Sequence, residues 1–128
     1  MESQLPDDLR RFVLTSVPSV PYLEALLQFH RAPQTERSAA SLSAEIYVSE
    51  STAAALIRQL ESSGIVSAVA GRAGLYAYAP MNPGLADLIG RLARAYSGDL
   101  IGVTHLIHDA TQRSAIRFAD AFKFRKGR

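Results

Sequence analysis

Between Ser49 and Arg72 the chain gathers side chains whose chemistry suits the surface of a nucleic-acid duplex. Ser49, Ser51, Thr52, Ala55, Arg58 and Gln59 belong to one run, SESTAAALIRQLESS. On a helix, Ser51, Thr52, Ala55, Arg58 and Gln59 stand opposite Leu56 and Leu60. A guanidinium can hold guanine O6 and N7 with two parallel hydrogen bonds, and a carboxamide can pair with adenine. Arg58 and Gln59 are therefore candidate base readers. The hydroxyls of Ser51 and Thr52 suit phosphate oxygens, Ser49 stands with them at the helix start, and the Ala55 methyl suits a thymine methyl. Arg72 sits inside Gly71-Arg-Ala-Gly74, a turn tip from which an arginine reaches a narrow, strongly negative minor groove. The plainer reading is a solvated helix face for Arg58 and Gln59 and an exposed turn for Arg72.

Other chemistry has little to stand on. There is no cysteine, hence no thiol nucleophile, disulfide or thiol switch. Gly71–Gly74 is too short to cradle a nucleotide, no paired-carboxylate spacing stands out, and no serine and histidine are spaced as a triad. Neither an enzyme nor a cofactor is expected. His105, His108 and Asp109 do share one helical face, and two imidazoles with a carboxylate suit zinc or nickel. His30 is a single histidine near a helix end, where a cation suits the dipole.

The reading run needs elements to hold it. SAASLSAEI predicts a helix over 38–46, with Leu42, Ile46 and Val48 directed inward, and YVS a turn. Ser49 is placed to N-cap the next helix, Ala53, Leu56, Ile57 and Leu60 form its inner stripe, and Gly64 supplies a left-handed end. IVSAVA and LYAYA alternate on either side of the glycine tip, which predicts a hairpin. Upstream, a short helix falls within 5–17, with Pro6 in its first position, Asp7 and Asp8 in its first turn, and Leu9, Phe12 and Val13 inward. A second helix runs from Pro18 or Pro21 to His30 on Leu23, Leu26, Leu27 and Phe29, and RAPQTERS then reads as a loop. Downstream, Asn82 and Pro83 open the longest helical stretch. Leu85, Leu88, Ile89, Leu92, Tyr96, Leu100, Val103 and Ile107 recur there about every 3.5 residues, interrupted by Gly90, Gly98 and Gly102. A last helix spans Ser114 to Phe124, before the basic tail RKGR.

Helix, turn, helix and hairpin, in that order, is the arrangement of a winged helix-turn-helix. The run LSAEIYVSESTAAALIRQLESSGIV resembles the MarR and ArsR classes of bacterial regulators. In their pattern a vs-x-st turn opens the recognition helix, and L-E-x-x-G with two hydrophobic residues closes it. The resemblance covers about a third of the chain. It implies a mainly α fold with a small β-hairpin wing and additional N- and C-terminal helices that build a dimer. It also implies a transcriptional regulator whose partner is double-stranded DNA. The expected division is an N-terminal helix over 1–17, the winged domain over 18–81 and a helical dimerisation region over 82–128. The chain departs from the pattern at Glu50, an acid that phosphate repels, at the alanines 53–55, and in a wing with one arginine. Metal sensors of the ArsR class add an Asp-x-His before a His-x-x-Glu or His-x-x-His. This chain lacks the former, so no metal site is expected at His105 and His108.

The whole chain sets the remaining expectations. Its 128 residues carry a net charge of +2, unevenly spread. Residues 1–64 hold five arginines against eight acids, and residues 65–128 hold nine basic residues against four acids. Positive charge thus lies downstream of the reading helix, where wings and C-terminal helices of a dimer would bring it to the backbone. No apolar run approaches the roughly 18 residues of a membrane span, and MESQLPDDLRR lacks the apolar core of a signal peptide. A cytoplasmic protein with no membrane partner is expected. The C-terminal half has more apolar surface than a winged domain needs, which predicts a homodimer through Leu92, Tyr96, Leu100, Val103 and Phe122. An intrachain helical hairpin is the other explanation. A small-molecule effector, if the chain takes one, would sit among Tyr22, Phe29, Tyr96 and Phe118. The competing function is a winged-helix interaction module that binds a partner protein and has little DNA affinity of its own. The alanines and Glu50 favour it, whereas Arg58 and Arg72 favour the regulator.

Overall fold

The computed structural model describes residues 5–108, mainly helical with one small hairpin. Pro21–Arg94 make one compact unit, and the described residues on either side belong to a second.

In the second unit, α1 (Asp7–Ser16) buries Leu9, Phe12 and Val13, the predicted stripe. Pro6 takes the cap position with extended ψ of 156°, one place earlier than the sequence suggests. Its carbonyl accepts the Arg10 N–H at 2.9 Å. A proline serves as well there, because its missing N–H is one that no carbonyl within the helix would accept.

The unit Pro21–Arg94 contains most of α2 (Val20–Arg31), then α3 (Ala39–Ile46), α4 (Glu50–Ser62), the strands β1 (Val66–Ala68) and β2 (Tyr76–Tyr78), and most of α5 (Pro83–Gly98). The starts of α3, α4 and α5 follow from polar side chains. Ser38 Oγ accepts the Ser41 N–H at 3.1 Å while Ser41 Oγ accepts the Ser38 N–H at 2.9 Å, a reciprocal box with serine in both places. Ser49 Oγ accepts the Thr52 N–H at 3.1 Å, and Asn82 Oδ1 accepts the Leu85 N–H at 2.8 Å. At the end of α4, Gly64 adopts φ 76°, the Ile65 N–H reaches the Leu60 carbonyl and the Gly64 N–H that of Glu61, both at 3.0 Å. Leu42 and Ile46 of α3 and Ala53, Leu56, Ile57 and Leu60 of α4 are buried, as their spacing predicts; Val48 is half-buried. On α2, Tyr22 and Ala25 join the four predicted core residues.

The strands pair antiparallel as Val66↔Tyr78, Ser67↔Ala77 and Ala68↔Tyr76. Gly71 and Gly74 turn the tip with φ 76° and 81°. RAPQTERS is more than a loop: Arg37 pairs with Tyr76 in both directions, at 2.8 and 2.9 Å, as a one-residue third strand beside β2.

The long apolar repeat is divided. α5 ends at Gly98, and the Asp99 carboxylate accepts the Gly102 N–H at 3.1 Å, capping a further helix, α6, described over residues 100–108. Leu92 and Val103, expected at a dimer seam, are fully buried within the chain. The exposed apolar residues here are Leu100 and Ile101, at 52% and 68%. An apolar repeat marks a face that must be covered, and here the chain itself covers Leu92 and Val103. Among the described residues, no helix is long and apolar enough to cross a membrane.

Candidate nucleic-acid interface

Helix α4 packs on α3 with one side and on β1 with its C-terminal part, which leaves the opposite side free. Ser51, Ala55, Arg58 and Ser62 recur at steps of four, three and four along the middle of that outward side. Thr52 and Gln59 flank the line on one edge, Glu50 and Glu61 on the other. Ser51, Thr52, Arg58 and Gln59 are exposed, and Ala55 is half-buried. The five sequence-derived candidates on this helix therefore share a face. Arg58 forms no ion pair or hydrogen bond among the described residues, whereas Arg37, Arg72 and Arg91 each have a carboxylate.

The hydroxyls at the start of α4 are not equivalent. Ser49 Oγ, occupied as the cap, also donates to Thr52 Oγ1 at 2.8 Å and lies 3.2 Å from Ser51 Oγ. Ser49 has one proton, which goes to Thr52, so Ser51 donates in the second contact. Thr52 keeps its own proton for an external acceptor, and Ser49 is the least free of the three.

At the hairpin tip, Arg72 is 61% exposed, yet its Nη1 lies 3.0 Å from Glu36 Oε1. Glu36 was no sequence candidate, because nothing in a polar loop signals proximity to a hairpin tip. The neighbouring residue explains it. Arg37, whose backbone is bound to Tyr76, places Glu36 beside the hairpin. The Arg37 side chain is buried, with Nε 2.7 Å and Nη2 3.4 Å from the Glu45 carboxylate and its guanidinium carbon 5.4 Å from the Phe29 ring centre. One residue thus ties β2 to α3 by main chain and side chain together, and α3 is the helix on which α4 rests. The sequence also gives no signal for Tyr47, which has φ 61° in the α3–α4 link and is 92% exposed.

The other candidates fall as follows. Tyr22 and Phe29 belong to the core, at 2% and 0% exposure, rather than to an effector pocket. The Tyr22 hydroxyl donates to Ser63 Oγ at 3.4 Å. Burial raises the Tyr22 pKa above 10.0, opposed by the Ser63 bond, and burial raises that of Tyr78 as well. Tyr96 is half-buried; Phe118 and Phe122 lie outside the described residues. His105 and His108 are exposed, Asp109 lies outside the described residues, and among those described no three metal-ligating side chains gather. No family model matches the chain, and neither a curated protein nor a solved structure shows a significant likeness to it.

Proposed function

We propose that the chain is a DNA-binding transcriptional regulator of the winged helix-turn-helix type. Two copies would read a pseudo-palindromic operator, each with α4 in a major groove and the β1–β2 hairpin on a minor groove. The observation that carries this reading is the outward face of α4. It sets a guanidinium without a partner among the described residues, a carboxamide and a threonine hydroxyl on a helix whose other side is fixed by α3 and β1. In the groove Arg58 would hold a guanine, Gln59 an adenine, Thr52 a phosphate, Ser51 another once its proton turns from Ser49, and Ala55 a thymine methyl. Arg72 would enter the minor groove. The order α3, link, α4 and hairpin supports this reading.

The test is fluorescence anisotropy of the purified protein with DNA from upstream of its own gene and with a scrambled duplex, across a salt series. Preference for the upstream duplex that survives physiological salt is the expected result. Arg58→Ala should weaken binding by about 1–3 kcal/mol and relax the preference at one base pair. Equal, weak binding to both duplexes that disappears by that salt would reject the reading. A second reading has its own support. Glu50 and Glu61 line one edge of the α4 face and Arg72 is engaged by Glu36, features that suit a protein partner better than phosphate. Under that reading the upstream duplex shows no preference and Arg58→Ala leaves the residual DNA binding unchanged.

A further inference from the structure

We propose that Tyr47 contacts the sugar-phosphate backbone of the bound duplex, its phenol hydroxyl donating to a phosphate oxygen. The inference rests on the DNA reading of α4 and adds a residue that helix-face reasoning does not reach. Helix α3 ends on a left-handed residue, and the Val48 N–H closes the turn on the Ser43 carbonyl at 3.2 Å. Glycine is the residue without strain in that place, because a β-carbon crowds the following carbonyl. The chain uses glycine for the matching turn after α4, where Gly64 has φ 76°. Before α4 it uses tyrosine at φ 61°.

The fold receives nothing for that choice. Tyr47 is 92% exposed and makes no side-chain hydrogen bond among the described residues. What tyrosine offers over glycine is therefore directed outside the molecule. Its place says to what. Tyr47 stands two residues before Ser49, the cap of α4. A helix that enters the major groove by its first turn brings the preceding link onto the rim of the groove, which is sugar and phosphate. A phenol there is an uncharged donor with an apolar ring. It tolerates the neighbouring Glu50 carboxylate, which a lysine or arginine would pair with instead of DNA.

Two variants of the full chain test this, Tyr47→Gly and Tyr47→Phe, each by thermal denaturation and by anisotropy with the upstream duplex. Tyr47→Gly should melt at or above the parent temperature, since strain is relieved, and should bind roughly 3- to 10-fold more weakly. Tyr47→Phe should weaken binding to a similar extent with its melting unchanged. Neither should alter the salt slope, because no cation is removed. Parent-like binding by both variants would overturn the proposal, and weakening in the glycine variant without the phenylalanine one would overturn the hydrogen bond. A marked loss of melting temperature in Tyr47→Gly would show that the side chain serves the fold, which also overturns it. A parent protein that shows no preference for the upstream duplex removes the DNA reading itself, and the parent curve separates that failure from the others.

Discussion

Arg37 keeps a charge in a core by giving it a carboxylate on one edge, an aromatic face, and the Ala32 carbonyl at 3.5 Å. Removing one partner of a buried pair is strongly destabilising, but Glu45 is 37% exposed and water recovers part of that loss. Arg37→Met should therefore lower stability by about 2–3 kcal/mol, read by urea denaturation, and Glu45→Gln by less. A change within about 0.5 kcal/mol would mean that the main-chain pairing holds this corner without the guanidinium. Tyr22 gives a pH dependence with a definite sign. Its raised pKa, caused first by burial, means that the folded chain holds the phenol proton more tightly than the unfolded chain. That stability is complete below pH 10 and is lost as pH rises through the folded value. Melting temperature should fall above pH 10, less steeply in Tyr22→Phe; an identical slope in the variant would assign the loss elsewhere, with Tyr78 the next group to test. Residue type was a poor guide here. Tyrosine and phenylalanine suit a ligand pocket and a core equally, and only packing decides between them.

The elements were legible where one local bond defines them. Ser49, Asn82 and Gly64 are each the residue that a helix end demands, and the four inner residues of α4 follow from its period. The pairing of Arg37 with Tyr76 was not legible, because a strand one residue long has no alternation to reveal it. The break at Asp99 was hidden for a different reason. The Asp99 N–H still reaches the Ala95 carbonyl at 2.7 Å and its carbonyl still receives the Val103 N–H at 3.1 Å, so helical spacing persists across it. The wing candidate was half legible: Arg72 is at the tip, but its partner comes from a distant loop. In the proposed complex that partner would compete with phosphate. Glu36→Gln should raise DNA affinity about 3- to 10-fold and steepen the salt dependence by about one unit of log slope. Weaker binding in this variant would mean that Glu36 positions Arg72 instead of withholding it.

For the molecule as a whole, the homodimer proposed above would keep Leu100 of the seam that the apolar repeat suggests and lose Leu92 and Val103. Leu92 and Val103 have no surface to offer, whereas Leu100 and Ile101 do. Ile101→Glu should convert the dimer to a monomer in sedimentation velocity and lower operator affinity, while leaving the helical content unchanged. A variant that sediments like its parent would place the contact elsewhere. The distances along the chain between partners carry one more consequence. Helices α3 and α4 meet within Ala39–Ser62, a short loop to close, whereas Arg37 and Tyr76 are far apart in sequence. Closing the longer loop forfeits more chain entropy before any contact repays it, so the helix pair should assemble early and the bridge to β2 late. In stopped-flow kinetics, Leu60→Ala should then chiefly slow refolding, and Arg37→Met should chiefly speed unfolding. The corner that ties the hairpin to the helices would set how long the native state lasts, and the helix pair how quickly it is reached.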